Sequence, residues 1–393
     1  MDLVLANVRP WGAAPVDIEI TGDTITGIVE HSTAGGARRV DGRRHLALPG
    51  FVNAHAHVDK SWWGKPWVSY GGEAGTQGRI AHERAVRDSL GIPSLDSTVL
   101  VLREFLRHGT TRVRTHVDVD LGTGLRGIET VQRAVEVLGG AIDVEIVAFP
   151  QDGVLRRPGV RDLLDEAAAN GVAHIGGLDP AAIDRDPAGQ LDQLFEIAAA
   201  RDCGIDIHLH DGGSLGWFEY ELIVERTRRF GREGRVNVSH GFALGSVPTD
   251  RVARTVADLA AAGITWSTVA PIGSTPLPLA SMRAENLAFG LGTDGIRDLW
   301  SPYGDGDILR IAQNFARLHA LRSDADLQYA VEVASSRAGQ FVSAPVHDIV
   351  VGARADIVLL DAENPQDALM RSPRRELVVA GGIVAVEAGE VRV

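Results

Sequence analysis

The sequence is poor in the features that would mark a secreted, membrane-bound or nucleic-acid-binding protein. It has one cysteine, Cys203, in 393 residues. No internal disulfide can form, and a cysteine-rich zinc module is excluded. Basic residues are outnumbered, 39 against 52 acidic, for a formal net charge of −13. With no long basic stretch, neither nucleic acid nor an anionic membrane is expected as a partner. No apolar run approaches the length that spans a bilayer. The opening MDLVLANVRPWG has no charged region followed by an apolar one, so no signal peptide is expected. A cytoplasmic setting is the default expectation. What is present is ample apolar content, 45%, enough for a large core.

Short strand patterns fill both ends of the chain. Leu3-Val4-Leu5, residues 16–20 and residues 24–29 precede position 49, and residues 355–360, 377–379 and 383–386 follow position 345. Neither group can close a sheet alone, so the termini are expected to meet in one small β-sandwich domain, residues 1–49 with 345–393. Between them, residues 50–344, eight strand patterns alternate with helical ones. The strands are 51–57, 111–118, 144–150, 174–178, 205–210, 236–240, 264–269 and 288–294. Helical spacing of apolar residues recurs at 98–107, 131–138, 160–170, 191–201, 219–230 and 252–261. Glycines 109, 139, 171, 204, 231 and 263 stand where helices should end. The seventh unit is weak, because Pro271, Pro276 and Pro278 leave little room for a helix. Repeated βα units with eight strands imply a parallel (β/α)8 TIM barrel of the α/β class. Residues 62–77 read as a long Gly/Trp-rich loop of the kind that makes a lid.

In such a barrel the chemistry sits at the C-terminal ends of the strands. Those positions hold His55 and His57, His116 and Asp118, Gln151, His208, His210 and Asp211, Ser239 and His240, and Thr293 and Asp294; nine of these twelve are His or Asp. His55 and His57 share one face of their strand, since side chains i and i+2 point the same way. Imidazole is the commonest protein ligand for zinc-like ions. Three imidazoles (His55, His57, His208) and one carboxylate (Asp294) can hold one divalent ion and leave a position open, the mark of a catalytic site. Asp294 would also accept a proton from water at that position. His240 is placed to polarise a substrate carbonyl or ring nitrogen. A further carboxylate is needed to carry a proton to the leaving nitrogen, and Asp211 is the candidate.

Taken together, Pro49-Gly50-Phe51-Val52-Asn53-Ala54-His55-Ala56-His57, the fifth-strand histidine, Ser239-His240 and Thr293-Asp294 resemble the amidohydrolase superfamily. Arg114-Thr115-His116-Val117-Asp118, Val147-Ala148-Phe149-Pro150-Gln151 and Thr293-Asp294-Gly295 followed by Trp300 resemble its cytosine-deaminase branch. The resemblance spans nearly the whole chain. It implies one iron or zinc ion on His55, His57, His208 and Asp294, with His240 against the hydrated intermediate. It also implies that Gln151 reads the amide-like edge of a heterocycle, and that the position three after His208 shuttles the proton. The fourth strand has no lysine, so a single-metal site is implied. In two places the chain departs from the branch: Asp211 stands where the branch carries Glu, and His210 where it often carries Asp. His210 faces the same way as His208 and is expected in the pocket. The expected reaction is hydrolysis of a C–N bond in a small cyclic or heteroaromatic compound, by a cytosine-deaminase-like release of ammonia or, alternatively, hydrolysis of an amide or release of a substituted amine; a non-catalytic ligand-binding relative is the rival from another class, disfavoured because all four metal ligands are kept. A homo-oligomer is expected.

Trp217 and Trp300 follow strands five and eight directly and are expected to touch substrate. His116 and Asp118 read as hydrogen-bonding supports for the ligands. Trp62, Trp63, Trp67 and Tyr70 either pin the long loop or stack on a planar ring.

Overall fold

Between residues 51 and 295 the alternating pattern closes into a barrel. In the computed structural model, which describes residues 2–33, 38–246, 249–273 and 275–393, seven parallel strands follow one another. They are Phe51–His57, Thr110–Asp118, Asp143–Phe149, His174–Leu178, Gly204–Leu209, Val236–His240 and Thr265–Thr268. The eighth strand is broken. Phe289–Leu291 pairs with the seventh strand and Asp294–Gly295 with the first, so the two halves seal the barrel. Gly292 lies at the break. A Cβ there would come 2.4 Å from both the Cβ and the carbonyl oxygen of His55. Only glycine lets the backbone pass so close to the first strand. Beyond the break Asp294 takes a left-handed conformation, φ +60°.

The helices pack their apolar faces on this barrel. Leu95–Arg107 buries Val99, Leu102, Phe105 and Leu106, a 3–4 spacing, and Ser94 caps its start by accepting from the Ser97 amide. Each such Leu or Phe contributes about 1.5–3 kcal/mol on burial. Several helices start earlier than apolar periodicity suggests. Pro187–Arg201 begins at a proline behind the cap Asp186, and Gly213–Arg229 takes in the loop after the fifth strand. Gly204 does not end a helix. Asp202 takes the left-handed position, φ +54°, and Gly204 already belongs to the strand. The seventh unit carries only the six-residue helix Leu279–Ala284. The long segment after the first strand contains a helix that periodicity did not reveal, Thr76–Val86.

The termini join as a second sheet. Leu46–Pro49 pairs antiparallel with Ile357–Leu360 and parallel with Leu3–Pro10. Outward from there run Val16–Thr21 and Thr24–Glu30 on one side, and Arg375–Ala380, Ile383–Glu387 and Glu390–Val391 on the other. Leu5, Val8, Ile18, Ile20, Ala47, Ile357, Leu359 and Val379 form its core. The architecture is a TIM barrel with a small β-sandwich built from both ends of the chain. Among the described residues, no helix is long and apolar enough to cross a membrane.

Candidate metal centre and substrate cavity

The first, fifth and eighth strands deliver four side chains to one point. His57 Nε2 stands 3.3 Å from His208 Nε2 and 3.4 Å from Asp294 Oδ1, and His55 Nε2 is 3.7 Å from the same oxygen. Zinc–nitrogen bonds of about 2.0–2.1 Å at tetrahedral angles put neighbouring donors about 3.3–3.4 Å apart. Two of the measured spacings match that separation and the third, 3.7 Å, is somewhat wider. Burial and the nearby Lys60 ammonium push His57 well below its ordinary pKa, and burial with the surrounding imidazoles does the same to His208. Neutral imidazole is the form that binds metal.

The tautomer of His55 is set from below. Asp206, fully buried, accepts from Ser239 Oγ at 2.7 Å, from Asn237 Nδ2 at 2.9 Å and from Arg114 Nη1 at 3.3 Å. Ser239 has given its proton to Asp206, so at 2.9 Å it accepts from His55 Nδ1. His55 Nε2 then presents a lone pair, and among the described residues no donor reaches it. His116 lies within the same group, its ring 4.3 Å from that of His55 and 4.5 Å from that of His208. Burial takes it to a pKa of about 4, against the charge and hydrogen bond of Asp206, which raise it. The donor set fits a zinc-like ion: imidazoles, one carboxylate and, at His55 Nε2, a buried nitrogen with no hydrogen-bond partner among the described residues.

Beside this centre is a cavity of about 160 Å³, lined by His57, Lys60, Phe149, Gln151, His208, His210, His240, Asp294, Asp298 and Trp300 among others. Of the substrate residues read from the sequence, Gln151, His210 and Trp300 are here. Trp217 is not. It sits on the Gly213–Arg229 helix and turns outward, where its indole N–H donates to Thr255 Oγ1 at 3.0 Å and Arg251 stacks on its ring. Following a strand directly did not bring it inward, because the helix begins at once and rotates the side chain to its outer flank. Asp211 is also absent from the cavity wall. Its Oδ2 accepts from the Ala182 amide at 3.2 Å, and its carboxyl lies against Glu219. The shorter side chain of Asp is held behind the rim.

His210 lines the cavity between Asp179 and His240. Its Nδ1 is 3.0 Å from Asp179 Oδ2, and its ring stacks on His240 at 4.4 Å. Burial alone would lower its pKa; the hydrogen bond and charge of Asp179 raise it instead. The other cavity histidines His57, His208 and His240 are lowered. His240 and Asp179 are both left-handed, φ +68° and +33°. Such strain persists only where the surroundings hold it, and it clusters at working sites.

Four residues here escaped the sequence reading. Lys60 is 4% exposed and bridges Asp118 Oδ1 at 2.7 Å and Gln151 Oε1 at 2.6 Å. Asp118 thus supports a lysine, not a histidine, while Asp59 accepts from the Asp118 amide. Glu83, from the Thr76–Val86 helix, accepts from Gln151 Nε2 at 2.9 Å and from the Trp300 indole. Asp298 takes the amides of Trp300 and Ser301, and burial lifts it to about 7. Asp179 ends the fourth strand, and that rim position could have found it. Lys60, three residues past His57, carried a weaker signal, and Glu83 carried none. The aromatic loop is pinned and does not line the cavity: Trp62 is buried with its indole on the Asp298 carbonyl, and Arg297 stacks on Trp62 and Trp63.

A parallel barrel with imidazoles and a carboxylate gathered at the C-terminal ends of its strands defines a hydrolase whose centre is built for a metal ion. The chain belongs to the amidohydrolase family, whose model matches residues 95–386. It acts on carbon–nitrogen bonds other than peptide bonds. It is 28% identical to N-isopropylammelide isopropyl amidohydrolase of Pseudomonas sp. strain ADP, over 98% of this chain and 97% of that one. The crystal structure of N-isopropylammelide isopropylaminohydrolase from Burkholderia multivorans matches with a TM-score of 0.94 and 38% identity, covering 100% of both chains. That of 5-methylcytosine deaminase from Klebsiella pneumoniae matches with a TM-score of 0.84 and 23% identity over 100% of this chain and 98% of that one, a likeness of fold.

Proposed function

We propose that the protein hydrolyses the exocyclic C–N bond of a single-ring, oxo-bearing nitrogen heterocycle of the N-isopropylammelide type and releases an alkylamine. One divalent ion, zinc or iron, is held by His55, His57, His208 and Asp294. When bound, such an ion acts as a Lewis acid and lowers the pKa of water from about 15.7 toward roughly 7. The observation that carries the reading is the spacing of 3.3, 3.4 and 3.7 Å among those donors beside the cavity.

The chain's own groups do the rest. Lys60 and Gln151 hold the oxygenated edge of the ring, and Phe149 and Trp300 flank its faces. His210 Nε2 takes a proton from the attacking water and returns it to the exocyclic nitrogen as the C–N bond breaks. Asp179 keeps the proton of Nδ1 in place, so Nε2 is the atom that exchanges. His240 supports the oxygen that replaces the amine. The ring keeps the oxygen and the amine leaves protonated. The likeness in sequence to the Burkholderia multivorans enzyme, along the whole of both chains, supports a substituted amine as leaving group. Release of ammonia from an unsubstituted amino group is the second reading, since the same proton path serves both. Large apolar side chains exposed on loops (Trp67, Ile272 and Tyr303) and on the Gly213–Arg229 helix (Phe218) support a homo-oligomer.

The test is zinc- or iron-loaded protein with N-isopropylammelide, isopropylamine and ammonia being measured separately. Isopropylamine is expected. Ammonia from amino-substituted analogues alone would select the second reading. Neither amine from any oxo-triazine or oxo-pyrimidine, with a full equivalent of metal bound, would defeat both.

A further inference from the structure

We propose that Glu83 is a positioning residue that turns one wall of the cavity into a surface of hydrogen-bond donors, selecting heterocycles that offer acceptors there: oxo groups or deprotonated ring nitrogens. This rests on the reaction proposed above and names the edge its substrate must present.

Gln151 is an amide with one acceptor and one donor end, and its neighbours decide which way it faces. Lys60 can only donate, and its Nζ meets Gln151 Oε1 at 2.6 Å. Glu83, as a carboxylate, can only accept, and its Oε2 meets Gln151 Nε2 at 2.9 Å. Reversing the amide would press NH2 against an ammonium and C=O against a carboxylate, so one orientation survives. The same Glu83 oxygen receives the Trp300 indole N–H and stands 3.9 Å from Lys60 Nζ. Glu83 is 1% exposed and does not itself line the cavity, whereas Lys60, Gln151 and Trp300 do. Asp118, the other partner of Lys60, is likewise absent from the lining. The acceptors of this network are therefore spent behind the wall. The protons left over, on Lys60 and on Gln151 Nε2, belong to residues that face the ligand. Gln151 thus offers the amide-like edge of a ring its remaining N–H, while its oxygen already accepts from Lys60.

Glu83 comes from Thr76–Val86, a helix outside the eight βα units. Its neighbours pin it there: Arg79 donates to the Glu73 carbonyl, and Arg87 forms a two-pronged pair with Asp120. The specificity of a barrel-borne site is thus set by an inserted segment.

The test is equilibrium binding to metal-loaded protein, followed by calorimetry, with cyanurate as the oxo-bearing probe and melamine as the amino-bearing one. Wild type is expected to bind cyanurate at least tenfold tighter. Glu83→Gln removes one of the two groups that orient Gln151, leaving Lys60 alone, and should bring that ratio within threefold and raise KM for the oxo-triazine about tenfold with a smaller change in kcat. A wild-type ratio below threefold, binding of neither probe, or an unchanged ratio in E83Q overturns the proposal. Should E83Q not fold, Gln151→Met replaces it, and an unchanged ratio there overturns it too. The binding ratio requires no turnover, so a wild type that releases no amine defeats the proposed reaction while Glu83 is still judged by the ratio.

Discussion

Glu219→Gln is the substitution whose effect follows most directly from the geometry. Glu219 is fully buried on the Gly213–Arg229 helix. Its Oε1 accepts from the Ala181 amide at 2.9 Å, and the Asp211 carboxyl lies beside it. Burial, then the charge of Asp211, lifts Glu219 from 4.5 to about 8. Asp211 is raised as well, by burial and by Asp179. Between pH 4.5 and 8 the folded chain holds a proton that the unfolded chain has released. Stability from this site is therefore fully present below about pH 4.5 and is lost as pH rises toward 8. The displacement corresponds to about 5 kcal/mol at 1.36 kcal/mol per pH unit. The pair shares one proton between two carboxyls, so about half of that, ~2–3 kcal/mol, is expected to register. Glutamine keeps the acceptor for Ala181 and adds a donor for Asp211, with no titration. Urea unfolding of the two proteins at pH 5, 6.5 and 8 is the assay. The variant should differ from wild type by less than about 1 kcal/mol at pH 5 and exceed it by ~2–3 kcal/mol at pH 8. Histidines elsewhere titrate alike in both proteins and cancel in the difference. A variant less stable than wild type at pH 8, or a difference that does not change with pH, refutes the reasoning.

Three other outcomes are expected. Asp294→Asn should lower metal affinity by more than about 100-fold, beyond what losing a group behind the ligands costs, with elemental analysis after dialysis as the check and turnover lost in parallel. His210→Asn should cut kcat by roughly 10²–10⁴ with metal content unchanged, whereas Asp211→Asn should stay within about threefold, since Asp211 faces Glu219; the reverse order in steady-state assays would return the proton to Asp211. Removing the ion with a chelator should lower the melting temperature, because an ion present at about 1,000 times its Kd adds roughly 4 kcal/mol to the folded state, and an unchanged calorimetric trace would count against a metal at this site.

Much of the protein can be read along the chain, for physical reasons. Alternating strand and helix periods are local, so the barrel and the paired termini follow from spacing and from the need to cover apolar faces. His55, His57, His208 and Asp294 could be named because the C-terminal end of a barrel strand is a position that sequence order reveals. What only the tertiary structure decided was the direction of side chains just beyond the strands and the arrival of groups from elsewhere. Asp211 and Trp217 follow the fifth strand, yet one is held by the Ala182 amide and the other swings out to Thr255. His210 is held by Asp179, 31 positions earlier, through its Nδ1. Glu83 reaches Gln151 across 68 positions and Trp300 across 217. Such contacts depend on how the chain closes on itself, and no local period records them.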